Sequence, residues 1–164
     1  MLVSEMLAVA REKSIARLDA QLLLAQRLKQ PRVWVLAHDD EVIDPVIANQ
    51  LLADFAQRSA GVPVAYLLGE REFHGLMLGV TPDVLVPRPE TEVLVDWALA
   101  LLQELPGPRT VVDLGTGSGA IALAIKNGCQ RAEVLATDSS LAALAVARGN
   151  AQRLHLAIEF AAGD

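Results

Sequence analysis

Three glycines fall within five residues, Gly115, Gly117 and Gly119, between an apolar run that ends at Leu114 and an alanine-rich run that begins at Ala120. Glycines at that spacing suit a turn whose backbone takes positive φ and against which a ligand can lie close to the main chain. The N–H groups that open the following helix can receive an anionic group, a carboxylate or a phosphate. Asp138 stands 23 residues after Gly115, at the end of the next apolar run, where a carboxylate can accept both hydroxyl protons of a ribose. An anion and a ribose fit two kinds of cofactor. Gly115, Gly117 and Ala120 satisfy the loose dinucleotide pattern, which keeps NAD in view. Asp113 favours the other kind, because a carboxylate at that point is out of place beside a pyrophosphate and suits a ligand that carries a cation. Both acids also have structural roles open to them: Asp113 can cap N–H groups of the loop, and Asp138 can cap the helix beside Ser139 and Ser140.

Other reactive side chains lack the company that chemistry would need. His38, His74 and His155 stand apart with no second ligand at metal-binding spacing, so turn or surface roles are expected and no metal site is predicted. Cys129 is the only cysteine, so an intrachain disulfide is impossible, a reducing compartment is the simplest reading, and a small buried or solvent-facing thiol accounts for it. Trp34 and Trp97 read as core or interface residues. With 4% aromatic residues and no basic cluster interleaved among them, the sequence has no platform for stacking bases.

The glycine loop requires a strand before it and a helix after it, and the sequence alternates accordingly. "TVVDL" reads as a buried strand, Ala120 to Asn127 as a helix closed by Gly128, "EVLAT" as a second strand, Leu141 to Arg153 as a second helix and "AIEFA" as a third strand. Strand and helix in alternation predict a parallel α/β sheet, with ligands at the carboxyl ends of the strands. Residues 1–68 read instead as helices: one from Ser4 and Glu5 towards Lys13, one with Leu18, Leu22, Ala25 and Leu28 as its apolar face, and one capped by Asp44 with a stripe of Val46, Ile47, Leu51, Leu52 and Phe55. "RVWVLAHDDEVI" is a short turn or helix with no clear pattern. Residues 69–88, with glycines at 69, 75 and 79 and prolines at 82 and 87, predict a β-hairpin connector. The third segment, 89–164, opens with a helix bearing Val93, Leu94, Trp97, Leu101 and Leu102, ended by "PGP" at 106–108.

Composition narrows the function. The sequence has 164 residues, 52% of them hydrophobic, and a formal net charge of −6, which argues against a phosphate backbone as the main partner. Glu5 interrupts the apolar N-terminus and no basic segment precedes it, so no signal peptide is expected. No uncharged apolar run approaches the roughly 18 residues of a membrane span. A cytoplasmic protein without membrane or nucleic-acid contacts is the expectation.

"VVDLGTGSG" resembles the first motif of class I S-adenosylmethionine-dependent methyltransferases. "AYLLGEREFHGL", "TPDVLVPRPETE" and "SSLAALAVARGNAQRL" are similar, more specifically, to the HemK/PrmC family, with the resemblance running from about Leu18 to Asp164. The resemblance implies a helical N-terminal substrate-recognition domain, a hairpin connector and a Rossmann-like catalytic domain. The implied activity is methylation of the glutamine side-chain amide nitrogen in the Gly-Gly-Gln motif of peptide chain release factors, in translation termination; separately, a monomer is expected. It assigns Gly115, Thr116, Gly117, Ser118 and Gly119 to the methionine part of S-adenosylmethionine, Asp138 to the ribose, and Asp164, closing the third strand, to the adenine side. Arg88, Glu90 and Glu92 fall in the family signature "PRPETE" beside the active site. The same three residues also have a plain structural reading, acids at a helix N-terminus with an arginine to pair them.

One departure counts. The family's Asn-Pro-Pro-Tyr segment, which holds the substrate amide, does not occur in this sequence, so no catalytic residue is assigned within it. From Thr110 the chain supplies three strands and two helices, about half of a doubly wound sheet. The expectation is therefore the N-terminal portion of a longer enzyme, inactive alone, with an unpaired edge on the third strand and incomplete cover over Ile121, Leu123, Leu141 and Leu144. An NAD-dependent oxidoreductase and a non-catalytic protein-binding module are the alternative readings.

Overall fold

The structure, a computed structural model, describes every residue except 105, 108 and 164, so two of the sequence signals, Pro108 and Asp164, lie outside the described residues. The chain divides into two compact units, Met1–Leu68 and Gly69–Asp164.

The first unit is helical: α1 (Val3–Glu12), α2 (Arg17–Leu28), α3 (Arg32–Ala37), α4 (Pro45–Ser59) and α5 (Val64–Leu68). The unpatterned segment thus contains α3. The N-terminus is pinned rather than frayed, because Glu5 Oε2 accepts from Leu2 N at 2.8 Å and Leu2 bridges to Val42. Asp44 caps α4 as its type and position dictate, accepting from Val46 N at 2.8 Å. The core gathers Met6, Leu23, Leu24, Val35, Ile43, Leu51 and Phe55.

The apolar face of α2 differs from the expectation. Leu18 is exposed and Ala20, Leu23 and Leu24 are buried, with Leu22, Ala25 and Leu28 only partly covered. Three consecutive leucines satisfy two helical faces at once, and contacts with α1, α3 and α4 decide between them. On α4, likewise, Val46 in the first turn is exposed while Leu51 and Phe55 are buried. Buried Asp54 is held by Arg27 through two bonds, Nε to Oδ2 at 2.7 Å and Nη2 to Oδ1 at 2.8 Å. Hydrogen bonding to Asp54 raises the Arg27 pKa above the usual guanidinium value; burial opposes the rise and the Asp54 charge reinforces it. A second pair, Arg58 Nε to Asp19 Oδ2 at 2.8 Å, ties α4 to α2.

In the second unit β1 (Glu70–Phe73) and β2 (Leu76–Gly79) form an antiparallel hairpin with Phe73 opposite Leu76. His74 and Gly75 make the two-residue turn at φ 50° and 76°, the positive pair that a tight hairpin with native twist demands. A 3₁₀ turn, Pro89–Thr91, leads into α6 (Glu92–Glu104), followed by β3 (Arg109–Leu114), α7 (Ala120–Gly128), β4 (Ala132–Asp138), α8 (Leu141–Leu154) and β5 (Glu159–Ala162). The sheet is parallel in the order β3-β4-β5. Because the order advances in one direction, right-handed crossovers put α7 and α8 on the same face. Ala132, Val134 and Ala136 of β4 are buried on that face, together with Leu123 and Ala151 from the helices. The opposite face, carrying Val112 and Leu114, is exposed among the described residues.

That layout corrects two expectations. Leu123 and Leu144 are fully covered and Ile121 is partly so, since both helices lie on the covered face; of the four, only Leu141, in the first turn of α8, is exposed. On α6 the buried residues are Val95 and Leu102, with Ala98 and Leu99 partly covered, while Val93, Leu94 and Leu101 are exposed and Trp97 is 69% exposed. Nine of the ten residues from Val93 to Leu102 are apolar, so spacing alone selects no face. Contact with α7 selects the stripe at 95, 98, 99 and 102.

Candidate functional site

The loop between β3 and α7 hooks onto the end of β4. Gly115 N and Thr116 N both donate to Thr137 O, at 2.9 and 2.8 Å, and Gly117 N donates to Asp138 Oδ2 at 2.9 Å. Gly119 N closes the turn on Thr116 O at 2.9 Å, and Leu123 N then takes Gly119 O at 2.8 Å as the helix begins. The three glycines all have positive φ, 73°, 56° and 82°, yet they face different surroundings. Cβ atoms at Gly115 and Gly117 would meet nothing within 4 Å, whereas one at Gly119 would lie 3.0 Å from Leu123 Cδ1 and 3.2 Å from Ala147 Cβ. One side of the loop is therefore packed on α8 and the other is open, at the carboxyl ends of the strands, where α/β sheets receive ligands.

Side chains in the loop turn inward. Thr116 and Ser118 are buried, and the Thr116 hydroxyl donates to Asp113 Oδ2 at 2.7 Å. Asp113 thus restrains the loop through a hydroxyl rather than through a backbone N–H. A ligand on the open side would meet main chain. Four loop N–H groups are engaged internally, so the donors left for an anion are those of Ser118, Ala120, Ile121 and Ala122, for which no acceptor is found among the described residues. These donors lie at the opening of α7, where the helix dipole adds its positive end.

Asp138 ends β4 half-buried. Its Oδ1 accepts from Ser140 N at 2.9 Å while Oδ2 holds Gly117 N, so the carboxylate joins the glycine loop to the entry of α8. Ser140 itself caps α8 by accepting from Ala143 N at 3.2 Å. A carboxylate has about four lone-pair sites, and two remain for the hydroxyls of a ribose. The open cradle, the bare donors of α7 and this acid form a site that fits a ligand with an anionic end and a ribose.

Arg88 and Glu90 are exposed and form no ion pair among the described residues. Glu92, first residue of α6, accepts from His74 N at 3.1 Å, and Asp96 Oδ1 lies 2.9 Å from His74 Nε2. The signature is thereby fastened to the hairpin tip, and no hydrogen bond joins Arg88, Glu90 or Glu92 to the glycine loop among the described residues. Trp34 stacks on His38 with ring centroids 4.3 Å apart. Among the described residues no three of His, Cys, Asp and Glu come together as a metal site would require. Sequence reasoning passed over Asn150, whose side chain reaches both the hairpin and the loop. The signal was its place in the otherwise small and apolar stripe of Ala143, Leu144, Ala147 and Ala151 on α8.

Two family models match the chain, the PrmC N-terminal domain over residues 3–69 and the methyltransferase small domain over residues 94–164. The release factor glutamine methyltransferase of Bordetella pertussis is 52% identical over 153 residues, covering 93% of this chain. The chain belongs to the PrmC family. Members of the same name from Burkholderia pseudomallei and Coxiella burnetii are 47% and 46% identical, over 88% and 84% of the chain. The chain spans about half the length of these PrmC-family relatives: 56%, 50% and 49%. Among solved structures, the Pyrococcus abyssi tRNA (uracil-54, C5)-methyltransferase matches 58% of this chain and 23% of its own at 18% identity, with a TM-score of 0.47.

Proposed function

We propose that the protein to which this chain belongs transfers a methyl group from S-adenosylmethionine to the glutamine side-chain amide nitrogen in the Gly-Gly-Gln motif of peptide chain release factors. Membership of the PrmC family supports the reaction. The observation that carries the cofactor is the two-sided glycine loop, open over Gly115 and Gly117 and bounded by Asp138. S-adenosylmethionine, when bound, supplies an electrophilic methyl carbon on a sulfonium. Gly115, Thr116, Gly117, Ser118 and Gly119 then present main chain to its methionine part, with the first-turn N–H groups of α7 taking the carboxylate. Asp138 takes the ribose hydroxyls, Asp113 adds negative charge suited to the cationic end, and Asp164 is assigned to the adenine by the family resemblance alone.

An amide nitrogen is a weak nucleophile because its lone pair is delocalised into the carbonyl. What these residues contribute is placement: a rigid cradle fixes the donor so that the amide meets it in line, which removes the entropy of bringing two molecules together. We assign Arg88, Glu90 and Glu92 to supporting the active site from the hairpin side, and the helical unit Met1–Leu68 to recognising the release factor. The net charge of −6 favours a protein partner over a nucleic acid, and we place the reaction in the cytoplasm, in a monomer. Among the described residues no helix is long and apolar enough to cross a membrane.

Calorimetric titration of the full-length protein with S-adenosylhomocysteine and with NAD, beside a methyl-transfer assay on a release factor, tests the reading. Binding of the first ligand and label on the Gly-Gly-Gln glutamine are expected. Preference for NAD, or label that persists after that glutamine is replaced by alanine, overturns it.

A further inference from the structure

Asn150 is 3% exposed on α8 and its amide makes four hydrogen bonds. Oδ1 accepts from Gly79 N at 2.7 Å and from Arg153 Nη2 at 3.0 Å; Nδ2 donates to Gly79 O at 3.0 Å and to Ser118 O at 2.8 Å. Two acceptor sites and two donors are all an asparagine has, so this side chain is saturated. Its exchange with Gly79 uses both main-chain groups of one residue, as a residue in a neighbouring antiparallel strand would. Arg153 extends the imitation by donating to Met77 O at 2.7 Å, two residues back along the edge of β2. Together the two side chains stand in for a third strand on the hairpin.

Gly79 is what lets the amide come so near. Its φ is not in the left-handed region, so the backbone would accept alanine, but a Cβ there would lie 3.1 Å from Asn150 Oδ1. The remaining bond of Asn150 reaches Ser118 O, in the middle of the glycine loop, while Ala147 one turn earlier fills the space beneath Gly119. A displacement of β2 at Gly79 can therefore reach the ligand loop through one planar amide.

We propose that Asn150 is a positioning residue for the cofactor loop and that it couples the loop to the hairpin, so that the seating of β2 tunes affinity for S-adenosylmethionine. The proposal rests on the reading that this loop binds that cofactor. It extends the reading by making the connector part of the cofactor site without touching the ligand. Couplings of this kind amount to about 5-fold in affinity or more.

The test is a double-mutant cycle in the full-length protein, with S-adenosylhomocysteine affinity measured by calorimetry and folding checked by thermal denaturation. Gly79→Ala, which alters only the hairpin side, is expected to weaken binding about 5-fold, and Asn150→Ala at least as much. In the Asn150→Ala background Gly79→Ala is expected to have no further effect. Should Asn150→Ala fail to fold, Asn150→Asp replaces it in the cycle, since it keeps both acceptor bonds and loses the donors to Gly79 O and Ser118 O. A structural role alone would lower the melting temperature and leave the affinity of the folded protein unchanged. Unchanged affinity, or effects of the two substitutions that simply multiply, overturns the coupling while leaving the cofactor assignment intact. A wild-type protein that does not bind S-adenosylhomocysteine overturns both.

Discussion

Replacing Asp138 by alanine separates the two tasks that its carboxylate performs. Gly117 N and Ser140 N, each at 2.9 Å, lose their acceptor, and the glycine loop loses one of its hooks onto β4. A hydrogen bond to a charged group contributes about 1.5–3 kcal/mol, but the carboxylate is only half-buried and water can take over part of both, so a net cost of about 2 kcal/mol is expected. For a chain of 164 residues unfolding as a whole, that lowers the melting temperature by roughly 4–8 °C. Loss of the ribose contacts adds a separate effect on affinity, about tenfold to a hundredfold in the dissociation constant. Thermal denaturation without ligand reads the first effect, and calorimetric titration with S-adenosylhomocysteine below the melting transition reads the second. A lowered melting temperature with unchanged affinity would refute the ribose assignment. Weakened binding with unchanged melting would refute the claim that this acid holds the loop.

Gly119→Ala must place a side chain at φ 82° and within 3.0–3.2 Å of Leu123 and Ala147, so a loss of about 2–4 kcal/mol is expected in urea unfolding, and a loss under about 0.5 kcal/mol would contradict the packing described. Arg27→Ala strands the buried Asp54 carboxylate and is expected to cost about 3 kcal/mol, more than Asp54→Ala, which leaves a guanidinium able to reach water; equal urea midpoints would refute that asymmetry. Deleting residues 1–68 from the full-length enzyme is expected to raise KM for an intact release factor with cofactor affinity nearly unchanged, and identical kinetics would remove the helical unit from substrate recognition.

The strands and helices around the glycine loop were legible because each has a single period and a clear stop: β-branched residues before Gly115, alanine-rich spacing after Gly119, an N-capping serine before Leu141. The hairpin was legible from its glycines. The covered face of α6 was not, since a helix apolar on nearly every side carries no phase, and only α7 reveals that Val95 and Leu102 point inward while Trp97 does not. At the site, the spacing of glycines and acids told which residues to inspect but not how they share hydrogen bonds. The double use of Thr137 O and the inward turn of Thr116 depend on the approach of β4, a contact made 21 residues further along the chain. Asn150 escaped for the same reason, because its partners are distant in sequence and an isolated asparagine on a helix carries no motif.

The bond between Gly79 and Asn150 joins residues 71 positions apart, which gives it a meaning in time. Translation at 5–20 residues per second brings Asn150 out roughly 4–14 s after Gly79. Throughout that interval Phe73, Leu76 and Leu78 lack the amide that secures their hairpin and the complete α8 that packs on β2. The segment Met1–Leu68 makes its own core and has all its residues before the interval begins. On the ribosome the nascent chain is therefore expected to pass through a state with folded helices and an open hairpin, and that state, more than the finished protein, is where a chaperone would find apolar surface.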